Sequence, residues 1–151
     1  RWFERARTGE LNEGYLIRRH RWGLLCPTCV DRDGRQKIRS NCPTCFDSGF
    51  EQGFSQVGGC FYVDSQPGQM SEEFRFESGW YQQGPTTRFL FLDIPAVYPG
   101  DIWVDRGTDE RWVFGSPFTT STGLGSVELL VSAPVARLDS KHIFYDFPVQ
   151  K

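Results

Sequence analysis

The sequence predicts a mainly β protein, in which a small cysteine-rich ribbon precedes an antiparallel β-barrel or sandwich. The first observation is a repeated tetrapeptide, Cys-Pro-Thr-Cys, at residues 26–29 and 42–45. The second is composition, because aromatic side chains make up 15% of the 151 residues, and rings pack well on pleated sheets. The third is the supply of turn residues: 16 Gly and 9 Pro can punctuate many short strands.

The first twenty residues read as an arm that precedes the folded body. Trp2, Phe3 and Ala6 stand among charged residues, at a spacing that allows one or two helical turns ending near Gly9. So short a helix is stable only when it docks on another element. We therefore expect residues 1–20 to form an N-terminal arm that can contain a short helix.

Residues 21–55 have the layout of a zinc ribbon. Each Cys-Pro-Thr-Cys turn presents two thiolates, and the twelve residues between the turns allow the second pair to fold over the first. Residues 31–34, Asp-Arg-Asp-Gly, signal a turn, and residues 36–39 can form the returning strand. Four thiolates complete a tetrahedron, so we expect a structural Zn²⁺ bound by Cys26, Cys29, Cys42 and Cys45.

Alternatives exist for the histidine and cysteine side chains. Two disulfides would replace the metal in an oxidising compartment, and His20 could substitute for one cysteine ligand, although four cysteines already fill the coordination shell. The fifth cysteine, Cys60, stands at the predicted start of a strand, where we expect a buried free thiol. Gly49 follows Cys45 closely and should adopt a positive φ, so that backbone N–H groups face the thiolates.

Residues 56–151 read as short strands separated by turns. Phe74 and Phe76 alternate with charged residues, whereas residues 89–92, Phe-Leu-Phe-Leu, are apolar on both faces and indicate a buried central strand. The separators include Tyr-Pro-Gly-Asp at residues 98–101. We expect an antiparallel barrel or sandwich with strands at 60–64, 72–77, 87–94, 101–105, 111–114, 126–132 and 143–147.

Charge is distributed unevenly along the chain. Residues 1–45 carry ten Lys and Arg against five Asp and Glu, whereas residues 46–151 carry seven against fourteen. A basic head on an acidic body indicates nucleic-acid binding or oriented contact with charged neighbours, and an ordinary solvated surface is the simpler explanation. The candidate contacts for nucleic acid or a partner are Arg18, Arg19, Arg21, Trp22, Arg32, Arg35, Lys37 and Arg39.

The sequence gives no support for an enzyme or a small-molecule substrate. Nucleophile-elbow, P-loop, dinucleotide and H-E-x-x-H motifs are absent, and we expect a surface or capping role for His142. A closed four-thiolate site leaves no open position for a catalytic water. No apolar run approaches the ~18 residues of a membrane helix. An acidic cluster could bind a cation, but a solvated hairpin tip is the better interpretation of Asp101, Asp105, Asp109 and Glu110.

Two groups of residues resemble structural proteins of tailed-bacteriophage virions. Residues 18–29 (Arg-Arg-His-Arg-Trp-Gly-Leu-Leu-Cys-Pro-Thr-Cys) and 39–50 (Arg-Ser-Asn-Cys-Pro-Thr-Cys-Phe-Asp-Ser-Gly-Phe) are similar to a zinc ribbon that precedes a β-rich body there. Residues 98–105 and 111–114 are similar to the Pro-Gly-Asp turn and hairpin of small barrels in phage necks and tails, such as head-closure (stopper) and connector proteins. Residues 61–94 match neither group.

The resemblance implies a non-enzymatic subunit of a neck, connector, tail or baseplate ring, located in the virion and assembled in the host cytoplasm. Its partners would be other virion proteins and copies of itself. The residues leave two other functions open. One is a nucleic-acid-binding zinc-ribbon protein. The other is a chaperone-like zinc module, because residues 42–49 resemble the Cys-x-x-Cys-x-Gly-x-Gly repeats of J-domain co-chaperones, although residues 26–33 lack the glycines.

Overall fold

A computed structural model describes residues 11–31, 33, 41–57, 61–66, 86–92, 95–115, 118–120 and 130–151. Regular structure in these ranges consists of strands and one short 3₁₀ helix at Ile143–Asp146, which confirms the mainly β prediction. The strands are β1 (Asn12–Arg19), β2 (Phe54–Gln56), β3 (Phe61–Gln66), β4 (Thr86–Leu92), β5 (Ile102–Asp105), β6 (Arg111–Phe114), β7 (Phe118–Thr120) and β8 (Leu130–Arg137).

The strands form one antiparallel sheet that curls back on itself. Following the hydrogen-bonded neighbours from β1 leads through β3, β4, β8, β6 and β5, and β5 pairs again with β1. Two short strands lie outside this ring of six: β2 pairs with β1, and β7 pairs with β8. The predicted barrel is therefore the architecture observed, rather than the sandwich that was its alternative.

Strand β1 is fully integrated in the sheet, which corrects the prediction that residues 1–20 form a separate arm. Gly14 pairs with Phe61 on one edge and with Asp105 on the other, and Ile17 pairs likewise with Gln56 and Ile102. The physical reason is burial on both faces, since the side chains of residues 15–17 are all buried. The predicted helix at residues 1–8 lies outside the described residues.

The interior of the barrel is an aromatic core contributed by all six strands of the ring. Phe89 packs edge-to-face on Trp103, with ring centroids 5.1 Å apart, and Phe91 packs on Phe114 at 5.4 Å. Such edge-to-face pairs stabilise the fold by more than the burial of their apolar area alone would. The same cluster includes Leu16, Val63, Val97, Val131, Ala133 and Val135.

A second core lies on the outer face of β1, β5, β6 and the end of β8. Side chains there alternate with the interior ones, as the two-residue period of a strand requires. The C-terminal residues 138–151 pass over this face, and Leu138 and Phe144 are buried in the same cluster. These strands are thus buried on both faces, inside by the barrel core and outside by the C-terminal segment. The strand residues of this cluster are Tyr15, Ile17, Phe54, Ile102, Val104, Val113 and Ala136.

The predicted strand at residues 143–147 is wrong, because this segment forms the 3₁₀ helix. Arg111 donates to the carbonyl oxygens of Phe144 and Phe147, and these two rings stack with centroids 5.2 Å apart. Tertiary contacts therefore override the β propensity of the aromatic residues. The strands predicted near 60–64, 87–94, 101–105 and 111–114 are confirmed, whereas the strand predicted at 126–132 is observed from Leu130 to Arg137. Cys60 and the predicted strands at 36–39 and 72–77 lie outside the described residues.

Candidate metal centre

The two Cys-Pro-Thr-Cys turns, residues 26–29 and 42–45, are called the knuckles below. Their four cysteines form one compact buried cluster. Their Sγ atoms all lie within 4.8 Å of one another, with 3.8 Å between Cys26 and Cys42 and 3.3 Å between Cys29 and Cys45. A disulfide would require about 2.05 Å, and all four are free thiols. Tetrahedral coordination with Zn–S bonds of ~2.3 Å places sulfurs roughly 3.8 Å apart. The donor set therefore fits one tetrahedral metal ion, and the disulfide alternative does not match the structure.

Both knuckles are closed by the same backbone hydrogen bond. The N–H of Val30 donates to the carbonyl of Cys26 at 3.1 Å, and the N–H of Phe46 donates to the carbonyl of Cys42 at 2.9 Å. Each Pro fixes φ within its turn, so that the two cysteines of each knuckle project to the same side. The repeated sequence thus gives a repeated local structure, with two thiols presented from each turn.

Asp47 fixes the start of the second knuckle. Its two carboxylate oxygens accept the N–H groups of Asn41 at 3.0 Å and Cys42 at 2.9 Å. Phe46 and Asp47 both have a positive φ, 48° and 65°, a conformation that non-glycine residues rarely adopt. The sequence pattern alone predicts no role for Asp47, and its position two residues after Cys45 is the only local signal that points to one.

Backbone N–H groups favour the thiolate form at part of the cluster. Burial raises the pKa of Cys42, but hydrogen bonds from the N–H groups of Cys45 and Thr44 and from the Cys45 and Cys26 thiols together lower the pKa to about 7. Burial raises the pKa of Cys29, and it raises that of Cys45 despite a hydrogen bond from the Gly49 N–H. Gly49 has φ +85°, as the sequence predicts. A cation bound at the cluster would replace the protons that burial otherwise favours.

Residues 20–53, which we call the metal module, are an insertion between β1 and β2 and not a separate N-terminal unit. The two strands pair with each other, and the N–H of His20 donates to the carbonyl of Gly53 at 2.9 Å. Beyond this point, Leu25 and Phe50 form an isolated antiparallel bridge, and the N–H of Cys26 donates to the carbonyl of Gly49. Both ends of the module are therefore anchored to the barrel.

The two histidines do not join the sulfur cluster. His20 contacts the carbonyl of Glu51 through Nδ1 at 3.4 Å. His142 is the N-cap of the 3₁₀ helix and accepts the N–H of Phe144 at 3.1 Å, in agreement with the expected capping role. The cluster in the described part of the chain thus contains cysteine ligands only.

Three of the predicted contact residues converge on a buried carboxylate. Asp101 accepts the backbone N–H of Arg19 at 3.0 Å and that of Tyr98 at 3.1 Å. The guanidinium groups of Arg18 and Arg21 lie 3.8 and 3.3 Å from its oxygens, and both also stack on the ring of Tyr98. The pKa of Asp101 is raised, because its burial outweighs the Arg19 N–H and the neighbouring arginine charges, which lower the pKa.

The arginines also donate to main-chain carbonyls. Arg18 donates to Ala96 at 2.6 Å, Arg21 to Pro99 at 2.5 Å, and Arg19 to Ser48 of the second knuckle at 3.4 Å. These side chains therefore bind the end of β1 to the turn before β5 and to the metal module. The predicted contacts Arg32, Arg35, Lys37 and Arg39 lie outside the described residues.

Large apolar side chains are exposed on the first half of the metal module. Trp22 is 82% exposed, Leu24 is 73% exposed, and Leu25 is 45% exposed. Tyr98, held under the guanidinium of Arg21, is exposed by 46%. Isolated apolar residues are normal on a surface, but neighbouring ones mark interaction sites.

The acidic residues expected at a hairpin tip serve the β5–β6 turn. Asp105 accepts the N–H groups of Gly107 and Thr108 at 2.7 and 2.8 Å. Asp109 pairs with Lys151 at 3.4 Å, and Glu110 with Arg137 at 2.7 Å. Asp101 lies apart from them among the arginines, so the four acidic residues do not form a single cation site.

Comparison with protein-family models, with curated proteins and with solved structures gave no significant match to this chain. Among the described residues, no helix has the length and hydropathy needed to span a bilayer.

Proposed function

We propose that this chain is a non-enzymatic structural subunit of a tailed-phage virion, in which one structural zinc ion braces a protein-binding surface. The part of the virion would be a neck, head-to-tail connector or tail ring, as the resemblance of the two motifs implies. The surface consists of Trp22, Leu24, Leu25 and Tyr98, and we call it the module patch. Its contact would be a neighbouring protein of the same particle.

The donor set supports zinc as the bound ion. Four cysteine thiolates in a closed tetrahedral arrangement suit zinc or iron, and structural zinc sites commonly use this set. The sulfurs are fully buried, so a bound ion would have no open position for water or substrate. This supports a structural ion and a non-enzymatic role. When bound, the ion would supply cross-linking of the two knuckles.

The exposure of the module patch is the observation that carries the proposal. Trp22 and Leu24 are more than two-thirds exposed on a segment that is anchored at both ends by backbone hydrogen bonds. Trp, Tyr and Arg are the residues most enriched at energetic centres of protein interfaces. A rigid support keeps the conformational cost of binding low. A protein partner that buries these side chains therefore accounts for their exposure.

Nucleic-acid binding has less support from the described residues. A phosphate-binding surface needs cations that face solvent, whereas Arg18, Arg19 and Arg21 contact carbonyl oxygens and Asp101 within the chain. Trp22 could stack on a base, but Leu24 and Leu25, the patch residues nearest to it in the sequence, are aliphatic. Phosphate binding is therefore the alternative outcome of the test and not the function proposed.

The test compares incorporation into virus particles. A Trp22→Ala/Leu24→Ala double variant should fold, bind metal and be lost from purified particles, and a Lys141→Ala variant, changed at an exposed residue outside the module patch, should be incorporated normally. Photo-crosslinking from position 22 should identify a neighbouring particle protein. Absence of the chain from particles would overturn the proposal. Salt-dependent DNA binding that is lost in the double variant would favour the alternative.

A further inference from the structure

The C-terminal segment 138–151 covers an apolar face that would otherwise meet water. Leu138 and Phe144 are buried against the outer face of β1, β5 and β6, and Phe147 and Val149 pack against the same cluster. Residues beneath them, such as Val104 and Val113, are fully buried. The cover is thus a strap, made of one 3₁₀ helix and an extended tail, over the wall of the barrel.

Polar contacts hold the strap at several points along its length. Arg111 donates to the carbonyl of Phe147 at 3.1 Å, and the N–H of Leu138 donates to the carbonyl of Arg111 at 2.8 Å. Gln56 exchanges two hydrogen bonds with the backbone of Gln150, at 2.7 and 2.8 Å. These contacts come from the barrel and do not involve the metal module.

One further contact comes from the metal module itself. The ring of Phe46, the residue after the ligand Cys45, packs edge-to-face on Phe147 at 5.3 Å and on Phe144 at 6.3 Å. Phe144 and Phe147 are stacked on each other, so Phe46 meets the stacked pair from the side. The metal module and the strap therefore share an aromatic contact.

The position of Phe46 depends on the knuckle. Its φ of +48° is followed by +65° at Asp47, and left-handed conformations at non-glycine residues are unfavourable and persist only where their surroundings impose them. The surroundings here are the knuckle bonds, in which Phe46 donates to Cys42 and Ser48 donates to Cys45. Without the cation the two knuckles lose the cross-link between their four sulfurs, so the turn that presents Phe46 should relax when the ion leaves.

We propose that metal binding at the four cysteines controls the docking of the C-terminal strap on the barrel, with Phe46 as the coupling residue. The inference rests on the metal centre proposed above and is independent of the virion assignment. Loss of the ion withdraws Phe46, loosens the Phe144–Phe147 stack and uncovers the outer apolar face. The barrel contacts of Arg111 and Gln56 remain, so the strap opens more often but stays attached part of the time.

Coupling of this kind is reciprocal. If the ion favours the docked strap, the docked strap must favour binding of the ion by the same factor. The edge-to-face contact between Phe46 and Phe147 corresponds to as much as a roughly tenfold effect on an equilibrium constant. Removing the ring of Phe147 should therefore weaken metal affinity about tenfold, although residue 147 is 102 positions beyond the last ligand, Cys45.

The first measurement is amide hydrogen exchange across residues 142–150 of the full chain, with zinc bound and after chelation. Chelation should speed exchange in this segment about tenfold. In Phe46→Ala, exchange should be fast even with zinc bound, and chelation should add little. Phe46→Leu keeps an apolar side chain, so its exchange rate with zinc bound should lie between those of the parent protein and Phe46→Ala. It replaces the alanine variant if that variant does not fold.

The second measurement is zinc affinity by competition with a chelator. Phe147→Ala should bind zinc about tenfold more weakly, whereas Lys151→Ala, which removes a strap contact to Asp109 far from Phe46, should bind zinc normally. Unchanged exchange at 142–150 on chelation, or an equal loss of affinity in both variants, would overturn the inference. A chain that binds no metal would overturn the metal centre and this inference together.

Discussion

The backbone N–H of Arg19 donates a 3.0 Å hydrogen bond to Oδ1 of Asp101, although 82 positions separate the two residues. Oδ2 accepts the N–H of Tyr98. The guanidinium of Arg21 lies 3.3 Å from Oδ1. One buried carboxylate thus joins the end of β1, where the metal module begins, to the turn that precedes β5. The basic lead-in and the Pro-Gly-Asp turn, two separate motifs in the sequence, form a single structural unit.

Replacing Asp101 by Asn should destabilise the fold. The amide nitrogen of Asn cannot accept an N–H, so one of the two backbone hydrogen bonds is lost together with the charge. Hydrogen bonds to a buried charged group contribute about 1.5–3 kcal/mol, and the partly exposed guanidinium groups add little. We expect the free energy of unfolding of the metal-loaded protein to fall by about that amount in urea titrations.

Glu51→Gln is the matched control for this variant, since Glu51 is an exposed carboxylate in the metal module. Its free energy of unfolding should stay within about 0.5 kcal/mol of the parent value. Equal stability of the Asp101 and Glu51 variants would show that the buried carboxylate does not anchor the turn.

Local sequence signals predicted the cysteine cluster and the β5–β6 hairpin. Each knuckle closes within five residues, so spacing alone brings two thiols together, and the Arg-Gly-Thr-Asp turn at residues 106–109 signals the reversal between the two strands. Both features depend on contacts between near neighbours. The four cysteines of the cluster could therefore be predicted one by one from the sequence.

Features that depend on distant contacts could not be predicted in this way. Strand β1 contains Tyr15, Leu16 and Ile17 in succession, because the C-terminal strap covers its second face, and this run lacks the alternation expected of a strand with one buried face. Arg18, Arg19 and Arg21 look like free cations in the sequence, because their carboxylate partner lies about 80 residues later. Neither the strap nor this partner leaves a local signal.

His142 should make stability depend on pH. Burial lowers its pKa, although Asp47 and Asp139 raise it, and its Nδ1 accepts the N–H of Phe144. An unfolded histidine titrates near pH 6.5, so below this value the unfolded chain binds more protons than the folded one. The stabilisation is therefore complete above pH 6.5 and is lost as the pH falls through the lower folded pKa.

The measurement is the free energy of unfolding between pH 7.5 and 5, with zinc bound, for the parent protein and for His142→Asn. Asn keeps a capping oxygen but does not titrate, and the thiolates titrate in both proteins. The free energy of unfolding of the parent protein should thus fall more than that of His142→Asn as the pH is lowered. A difference that is constant with pH would contradict the lowered pKa.

Cys42→Ser should disorder the metal module and leave the barrel folded. Removal of one thiolate weakens metal binding, and the module has little apolar core apart from the cysteines and Val30. The barrel keeps its own interior cluster. Hydrogen exchange should become fast from about Leu24 to Gly53, while β4, β5, β6 and β8 stay protected.

Thr44→Ala is the control for the cysteine variant, because it changes the same knuckle but keeps all four thiols. It loses only an exposed contact to Thr28, and its exchange should match that of the parent protein. Slow exchange across both knuckles in Cys42→Ser would mean that the module folds without its metal.

Gly53→Ala should damage the metal centre from outside the knuckles. A Cβ at this position would lie 2.1 Å from the carbonyl oxygen and 2.7 Å from the carbonyl carbon of Cys45. Both atoms belong to the backbone of a metal ligand, so relief of the clash must shift that ligand. We expect a loss of about 2–4 kcal/mol in unfolding free energy and a weaker zinc affinity.

Gly49→Ala separates the clash from the backbone conformation. Gly49 also has a positive φ, +85°, but a Cβ there would meet only Val30, at 3.9 Å. The left-handed conformation alone costs about 1–2 kcal/mol, so Gly49→Ala should be the milder change. If both variants lose the same stability and keep the same zinc affinity, close packing of Gly53 on Cys45 does not position the ligand. If Gly53→Ala loses more unfolding free energy than Gly49→Ala, and if only Gly53→Ala loses zinc affinity, then the segment that leads into β2 holds Cys45 in place.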